Sequence, residues 1–136
     1  MKALVLAFSL LLLGLVACAT AQEPKHRVFF VEPKDGATLS QEFKVVMGVE
    51  GMAIKPLGEM TENTGHHHLL IDAEHVLEGV VVPVDQPKKY LHFGKGQTEV
   101  TVKLPPGRHT LTLQFADGAH RSYGEKMRAT IAVNVQ

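Results

Sequence analysis

Hydrophobic and polar side chains alternate along much of the chain, most regularly over residues 43–50, 100–104, 111–115 and 129–135. Shorter apolar runs lie at 27–31, 66–72, 78–84 and 90–93, separated by segments rich in turn-forming residues. Because successive side chains of a strand point to opposite faces, a period of two indicates strands with one buried face. This spacing predicts an all-β domain, and we expect an immunoglobulin-like antiparallel β-sandwich of seven or eight short strands.

The clearest pair of predicted strands flanks the turn Pro105-Pro106-Gly107. Residues 100–104 and 110–115 each alternate apolar and polar side chains, so we predict that they form an antiparallel hairpin. Residues 51–65 are predicted to form a long loop, and only residues 72–77 to allow a helical turn. The predicted core consists of Val45, Met47, Val102, Leu111, Leu113, Ile131 and Val133.

The first 21 residues have a different pattern, which is typical of an export signal. Lys2 precedes an uncharged apolar run over 3–16, and small residues follow it. The run has the length of a signal-peptide hydrophobic region and is shorter than a membrane-spanning helix requires. We therefore predict a signal peptide over residues 1–21, a single β-sandwich domain over 22–136, and a periplasmic or secreted location.

Two cleavage sites remain open at the end of this signal. The small residues Ala19-Thr20-Ala21 favour cleavage before Gln22. The segment Leu15-Val16-Ala17-Cys18 resembles a bacterial lipobox, and cleavage before Cys18 would leave a lipidated, membrane-anchored lipoprotein. With either cleavage the domain has no disulfide and no cysteine-based metal or redox site inside its fold, because Cys18 is the only cysteine.

Charge and hydropathy narrow the class of partner. Without Lys2, 13 lysine and arginine residues face 14 aspartate and glutamate residues, and this near-neutral balance argues against a nucleic-acid partner. No second apolar run has spanning length, so membrane attachment is expected only through a lipid anchor at Cys18.

Histidine is the unusual residue of the composition, since all eight lie after residue 21 and three are adjacent, His66, His67 and His68. On a strand, His66 and His68 share one face, and His67 shares the other with Leu69 and Ile71. Two imidazoles at i and i+2 offer two nitrogen ligands, which suit copper, zinc, nickel or iron. The triplet therefore predicts part of a transition-metal site.

Further ligands must come from elsewhere in the chain. His92 lies within the short predicted strand over residues 90–93, and His120 lies in a predicted loop, so both are candidates. The predicted metal residues are His66, His68, His92 and His120, with His67 as a fifth. Met52 and Met60 precede the triplet, and thioethers favour Cu(I). In an oxidising compartment without thiols we expect copper ahead of zinc, and we interpret His109 as structural.

Two alternatives to a metal site stay open for the triplet. Its imidazoles are also compatible with a structural hydrogen-bond cluster or with a catalytic base. The sequence contains no nucleophile elbow, phosphate loop or helical zinc-protease motif, so we do not predict an enzyme. The alternative function is a non-catalytic cell-envelope interaction module, whose partner is an envelope protein rather than a metal ion.

Several separated segments resemble one bacterial family. They are Val31–Gly36, Val49–Met52, Gly65–Asp72, Leu91–Glu99 and Pro106–Leu111. In this order, over about residues 28–135, they resemble the domain of unknown function 4399 (DUF4399). The resemblance implies a small exported β domain and brings no established activity.

Overall fold

The computed structural model describes residues 25–136, which form nine strands and one 3₁₀ turn. The strands are β1 (Arg27–Glu32), β2 (Thr38–Leu39), β3 (Glu42–Glu50), β4 (Ala53–Ile54), β5 (Thr64–Ile71), β6 (Tyr90–His92), β7 (Glu99–Lys103), β8 (Gly107–Ala116) and β9 (Arg128–Val135). No helix among these residues is long and apolar enough to cross a membrane. The predicted signal peptide and both of its cleavage sites lie outside the described residues.

The strands form two sheets, and the prediction of an all-β sandwich is confirmed. The smaller sheet has the order β1-β3-β7. The larger has the order β2-β9-β8-β5-β4, with β6 also paired to β5, and it curls into a half-barrel. The nine strands of residues 25–136 exceed the seven or eight predicted, and two short pairs, β2–β9 and β4–β5, are parallel.

The predicted hairpin over residues 100–115 is wrong. Strand β7 pairs with β3 in the smaller sheet, whereas β8 pairs with β5 and β9 in the larger sheet. The turn at Pro105-Pro106-Gly107 therefore carries the chain from one sheet to the other. Alternation identifies which face of a strand is buried, but it does not specify the partner strand, because both sheets face the same apolar interior.

Three local expectations also differ from the structure. Residues 78–84 do not form the predicted strand, and only Val81 makes an isolated bridge, to Arg121. Pro83, which has no backbone N–H to donate, and Gly79 both disfavour a longer ladder there. The predicted long loop contains β4, and the 3₁₀ turn lies at Glu125–Met127 rather than within 72–77.

The hydrophobic core lies between the two sheets. Six of the seven predicted core residues are buried, and Ile131 is half-buried. Phe115, Leu69 and Met127 are also fully buried there. A second cluster lies on the other side of the larger sheet, away from the smaller one, a side we call the outer face. This cluster consists of Leu70, Val76, Val82, Tyr90 and Ala116.

Candidate metal centre

Strand β5 carries the histidine triplet through the middle of the larger sheet. It is buried along its whole length, because β8 pairs with one edge while β6 and β4 pair with the other. Strand alternation directs His67 into the core beside Phe115, its cross-strand partner on β8. The same alternation places His66 and His68 on the outer face, as the sequence predicts.

The outer face is covered by loops, which remove His66 and His68 from water. Residues 73–82 and 120–122 lie over it, and Val82 N–H donates a hydrogen bond to the His120 carbonyl at 2.9 Å. The apolar cluster around Leu70 and Val82 fills the space beneath these loops. As a result the side chains of His66 and His68 are buried, although they do not face the core between the sheets.

His92 joins the two strand histidines through the register of β6. It lies directly opposite His68, and directly opposed residues of an antiparallel pair point to the same face. Gly94 makes room for its ring, because a Cβ at position 94 would collide with Cε1 and Nε2 of His92. A glycine at this position therefore allows the His92 imidazole to lie against the backbone.

His120 reaches the cluster from the loop between β8 and β9. Its backbone has a φ of 63°, which is uncommon for a residue other than glycine. Asp117 holds this turn, since its Oδ1 accepts hydrogen bonds from the N–H groups of Ala119 at 2.8 Å and Arg121 at 2.9 Å. The His120 N–H also donates to the Asp117 carbonyl at 2.9 Å. The loop is thus a closed turn that presents one imidazole.

One further loop connects the segments that carry His92 and His120. Leu57 N–H donates to the Gly94 carbonyl at 2.8 Å, and Gly58 N–H donates to the Gly118 carbonyl at 2.9 Å. A Cβ at Gly118 would collide with the backbone of Glu59. Residues 57–59 therefore hold the two histidine-bearing segments at a fixed separation.

The four imidazoles converge on one point. One ring nitrogen from each of His66, His68, His92 and His120 lies within 4.8 Å of all the others. The six ring-centroid separations range from 4.3 to 5.5 Å. The Nε2 atoms of His66 and His92 are 3.1 Å apart. His66 and His68 are buried, His120 is half-buried and His92 is exposed, so the cluster has a closed side and an open side.

Several ring nitrogens of this cluster have no protein partner. Buried nitrogens without a hydrogen bond are Nδ1 of His66, both nitrogens of His68, and Nε2 of His120. Buried polar groups usually find partners, because an unsatisfied one costs about 1–3 kcal/mol. Apart from the hydrogen bond between Nε2 of His66 and Nε2 of His92, these nitrogens lack the partners that a structural hydrogen-bond network would supply.

The environment also keeps His66, His68 and His92 neutral. Burial, with the nearby His92 and His120, lowers the pKa of His66 to about 4, against an opposing effect of Asp117. Burial and the neighbouring histidines lower the pKa of His68 to about 2. Burial and His120 also lower the pKa of His92. Neutral imidazole is the form that binds a metal ion, so the nitrogens are available at neutral pH.

The donor set fits a transition-metal ion. Metal–nitrogen bonds of about 2.0–2.1 Å in a tetrahedron separate neighbouring nitrogens by about 3.3 Å. The His66–His92 separation of 3.1 Å is close to this value, and the widest pair, up to 4.8 Å apart, must contract by roughly 1.5 Å. Four neutral nitrogens without thiolate suit Cu(II), Zn(II) or Ni(II).

The remaining predicted donors lie apart from this centre. His67 faces the core, where its ring meets Phe115 edge-on at a centroid distance of 5.1 Å. Met52 packs against the core and Met60 is exposed. The structural interpretation of His109 agrees with its surroundings, because Nδ1 hydrogen-bonds Asp72 at 2.6 Å and Nε2 hydrogen-bonds the Pro105 carbonyl at 2.8 Å.

Sequence reasoning missed two residues that shape the centre, Gly94 and Asp117. Gly94 follows His92 by two residues, but a glycine after a short strand is equally typical of a turn. Asp117 begins the segment Asp117-Gly118-Ala119-His120, in which an aspartate that bonds the N–H groups ahead of it is a recognisable turn signal. Neither pattern alone indicates a role beside a metal.

Comparison with known proteins gives one match. A protein-family model described as "Domain of unknown function (DUF4399)" matches residues 45–136, a segment that includes all four clustered histidines. No curated protein and no solved structure matches the chain.

Proposed function

The chain belongs to the DUF4399 family, whose description states no activity, and we propose that its domain binds a transition-metal ion through His66, His68, His92 and His120. The observation that carries the proposal is the convergence of four imidazole nitrogens within 4.8 Å. Their unpartnered nitrogens and lowered pKa values support it, since both leave lone pairs free for a metal. The open side at His92 provides a path for the ion.

Copper is the metal that we propose, ahead of zinc. The donors are imidazole nitrogens, and for such sites Cu(II) binds more tightly than Zn(II) in the usual divalent order. The domain would act in an exported compartment, following the signal peptide predicted over residues 1–21. In that compartment it would store, carry or deliver the ion rather than use it in catalysis.

A titration of untagged protein tests this function. We expect calorimetry at pH 7.5 to show one Cu(II) ion per chain, with Zn(II) bound more weakly. The His66→Ala/His68→Ala variant should lose this binding, because only two of the four ligands remain. His26→Ala/His75→Ala is the matched control, since it removes two histidines that lie outside the cluster. Wild-type binding weaker than about 1 mM for both ions would refute the function.

Location is tested separately, in the cell. We expect the full chain to fractionate with the periplasm or the envelope, and mass spectrometry to find a mature N-terminus at Gln22 or at a lipidated Cys18. Membrane-bound protein that Cys18→Ala releases or leaves unprocessed would identify the lipoprotein form. Full-length, uncleaved protein in the cytoplasm would contradict export.

An exposed apolar segment favours a second candidate, an interaction module of the cell envelope. Leu77, Val80, Val81 and Val84 are 50–71% exposed within eight residues. Clustered exposed aliphatic side chains often mark protein contacts. If the wild-type chain binds neither metal, and the His66→Ala/His68→Ala variant loses several kcal/mol of unfolding free energy, the cluster is structural and this second function replaces the first.

A further inference from the structure

The side chain of Asp117 is connected to the histidine cluster through hydrogen bonds, which shape the turn that carries His120. Its side chain is only 16% exposed, and its Oδ2 accepts a hydrogen bond from Arg121 Nε at 2.9 Å. Asp117 is thus a largely buried carboxylate beside a group of neutral nitrogen donors.

This connection is conformational. His120 has a left-handed backbone, which costs free energy for a residue with a Cβ unless the surroundings enforce it. Asp117 Oδ1 accepts the N–H groups on both sides of His120, from Ala119 and Arg121. Without this carboxyl oxygen the two N–H groups lose their partner, and only the backbone hydrogen bonds of His120 to Asp117 and Val82 remain to hold its position.

We infer that Asp117 is the positioning residue of the metal centre, which fixes His120 in the ligand set. The inference rests on the proposed metal function. It assigns to Asp117 the role that carboxylates beside metal-bound histidines commonly have, with the difference that it acts on the turn of a histidine rather than on its ring.

Two substitutions test this role of Asp117. Asp117→Asn keeps an oxygen that accepts the Ala119 and Arg121 N–H groups, whereas Asp117→Ala removes it. In a Cu(II) titration we expect Asp117→Ala to weaken binding about 10- to 100-fold, the usual loss for an outer partner of a metal ligand, and Asp117→Asn to bind more tightly than Asp117→Ala.

A double-mutant cycle shows whether Asp117 acts through His120. In a His120→Ala background, Asp117→Ala should cost several-fold less than in the wild-type background, because the turn no longer presents a ligand. Asp35→Ala is the matched control. Asp35 also accepts a backbone N–H, from Ala132 at 2.9 Å, but at the β1–β2 turn, so this variant should bind Cu(II) like the wild type.

The outcomes are distinct. If wild-type protein binds no metal, the proposed function fails. If it binds Cu(II) and Asp117→Ala binds equally well, the inference fails and the function stands. Asp117→Asn as weak as Asp117→Ala would refute the turn role. Equal costs of Asp117→Ala in both backgrounds would refute action through His120. Circular dichroism at the titration temperature identifies any variant that does not fold.

Discussion

His109 and the four-histidine cluster lie near opposite ends of the ladder between β5 and β8, and their imidazoles differ in hydrogen-bond partners and in pKa. Both ring nitrogens of His109 have an oxygen partner, Asp72 and the Pro105 carbonyl. The hydrogen bond to Asp72 is the main reason that the pKa of His109 is raised. In the cluster, nitrogens are buried without partners and pKa values are lowered.

Together with convergence on one point, this contrast distinguishes the cluster from His109 better than burial does. A histidine that supports the fold is expected to have both nitrogens satisfied, as His109 has, because an unsatisfied group is costly. A set of histidines that shares unpaired nitrogens around one point gives up stability in the metal-free protein. A bound metal ion would restore that stability by giving the unpaired nitrogens a partner. The predictions below test this explanation at each end of the β5–β8 ladder.

The largest expected effect is acid destabilisation of the metal-free protein. Where folding lowers a histidine pKa below 6.5, the unfolded chain binds more protons, so unfolding free energy falls as pH falls from about 6.5 to the folded value. Each unit of lowering contributes about 1.4 kcal/mol. With His66 and His67 lowered to about 4, the loss between pH 6.5 and 4 should reach several kcal/mol.

Urea unfolding of the metal-free protein between pH 8 and 4 measures this loss. His109 should act in the opposite direction. Its raised pKa contributes stability that is complete below 6.5 and is lost as pH rises through its folded value. In the His66→Ala/His68→Ala variant the acid loss should shrink, whereas in His109→Ala it should persist. An unchanged acid loss in the double variant would contradict neutral burial of the cluster.

The second prediction replaces one histidine by alanine at each end of the β5–β8 ladder. His68→Ala should weaken Cu(II) binding by about 100-fold or more, because it removes one of four ligands from a site that the remaining three leave open. His109→Ala should leave Cu(II) affinity within about threefold and instead lower the unfolding free energy by about 1–3 kcal/mol, through loss of its hydrogen bonds. Calorimetric titration and urea unfolding of both variants provide the comparison. If His109→Ala weakened Cu(II) binding and His68→Ala only lowered the unfolding free energy, the contrast between His109 and the cluster would be overturned.

The part of the site that lies on β5 follows from the sequence. Alternation alone places His66 and His68 on one face and His67 on the other, because a strand leaves no other choice. His92 and His120 could be named as candidates only because histidines are few. Their convergence depends on the β5–β6 register and on the turn held by Asp117, and both are long-range or backbone features that no spacing in the sequence encodes.

The fold shows the same limit. The buried faces of β3, β7, β8 and β9 are readable from alternation, since each strand must hide its apolar side. The pairing of β7 with β3 rather than with β8 was not readable, because the proline-rich turn between β7 and β8 is compatible with a hairpin and with a crossing between sheets. The apolar run 78–84 misled the strand prediction for a related reason, since apolar side chains also occur in loops that cover a sheet.

The third prediction concerns the space around His92. Gly94→Ala should displace the His92 ring, because the added Cβ would occupy the position of its Cε1 and Nε2. We expect about tenfold weaker Cu(II) binding and a change in unfolding free energy below about 1 kcal/mol, since only the end of one side chain must move. Gly36→Ala is an instructive control, because an added Cβ there has open space, although its φ of 78° adds backbone strain. Unaltered Cu(II) affinity in Gly94→Ala would show that His92 is not a ligand.

The smallest expected effect is at His67, on the core side of the same strand. Both of its ring nitrogens are buried without partners, and its pKa is lowered to about 4, mainly by burial. Unlike His66 and His68, it has no other histidine on its face to share a ligand. His67 therefore has the free-energy cost of unsatisfied buried nitrogens, but it is not part of the four-histidine cluster.

Replacement of His67 by leucine should therefore help the fold and leave the metal centre alone. An apolar side chain of similar size removes the two unpaired nitrogens, so we expect an increase in unfolding free energy of about 0.5–2 kcal/mol at pH 7. Cu(II) affinity should change less than about threefold, because the His67 ring points to the opposite side of β5. His68→Leu on the outer face is the matched control and should lose binding. If His67→Leu instead weakens Cu(II) binding tenfold or more, the two faces of β5 are not independent, and the separation of core from metal centre drawn from strand alternation is wrong.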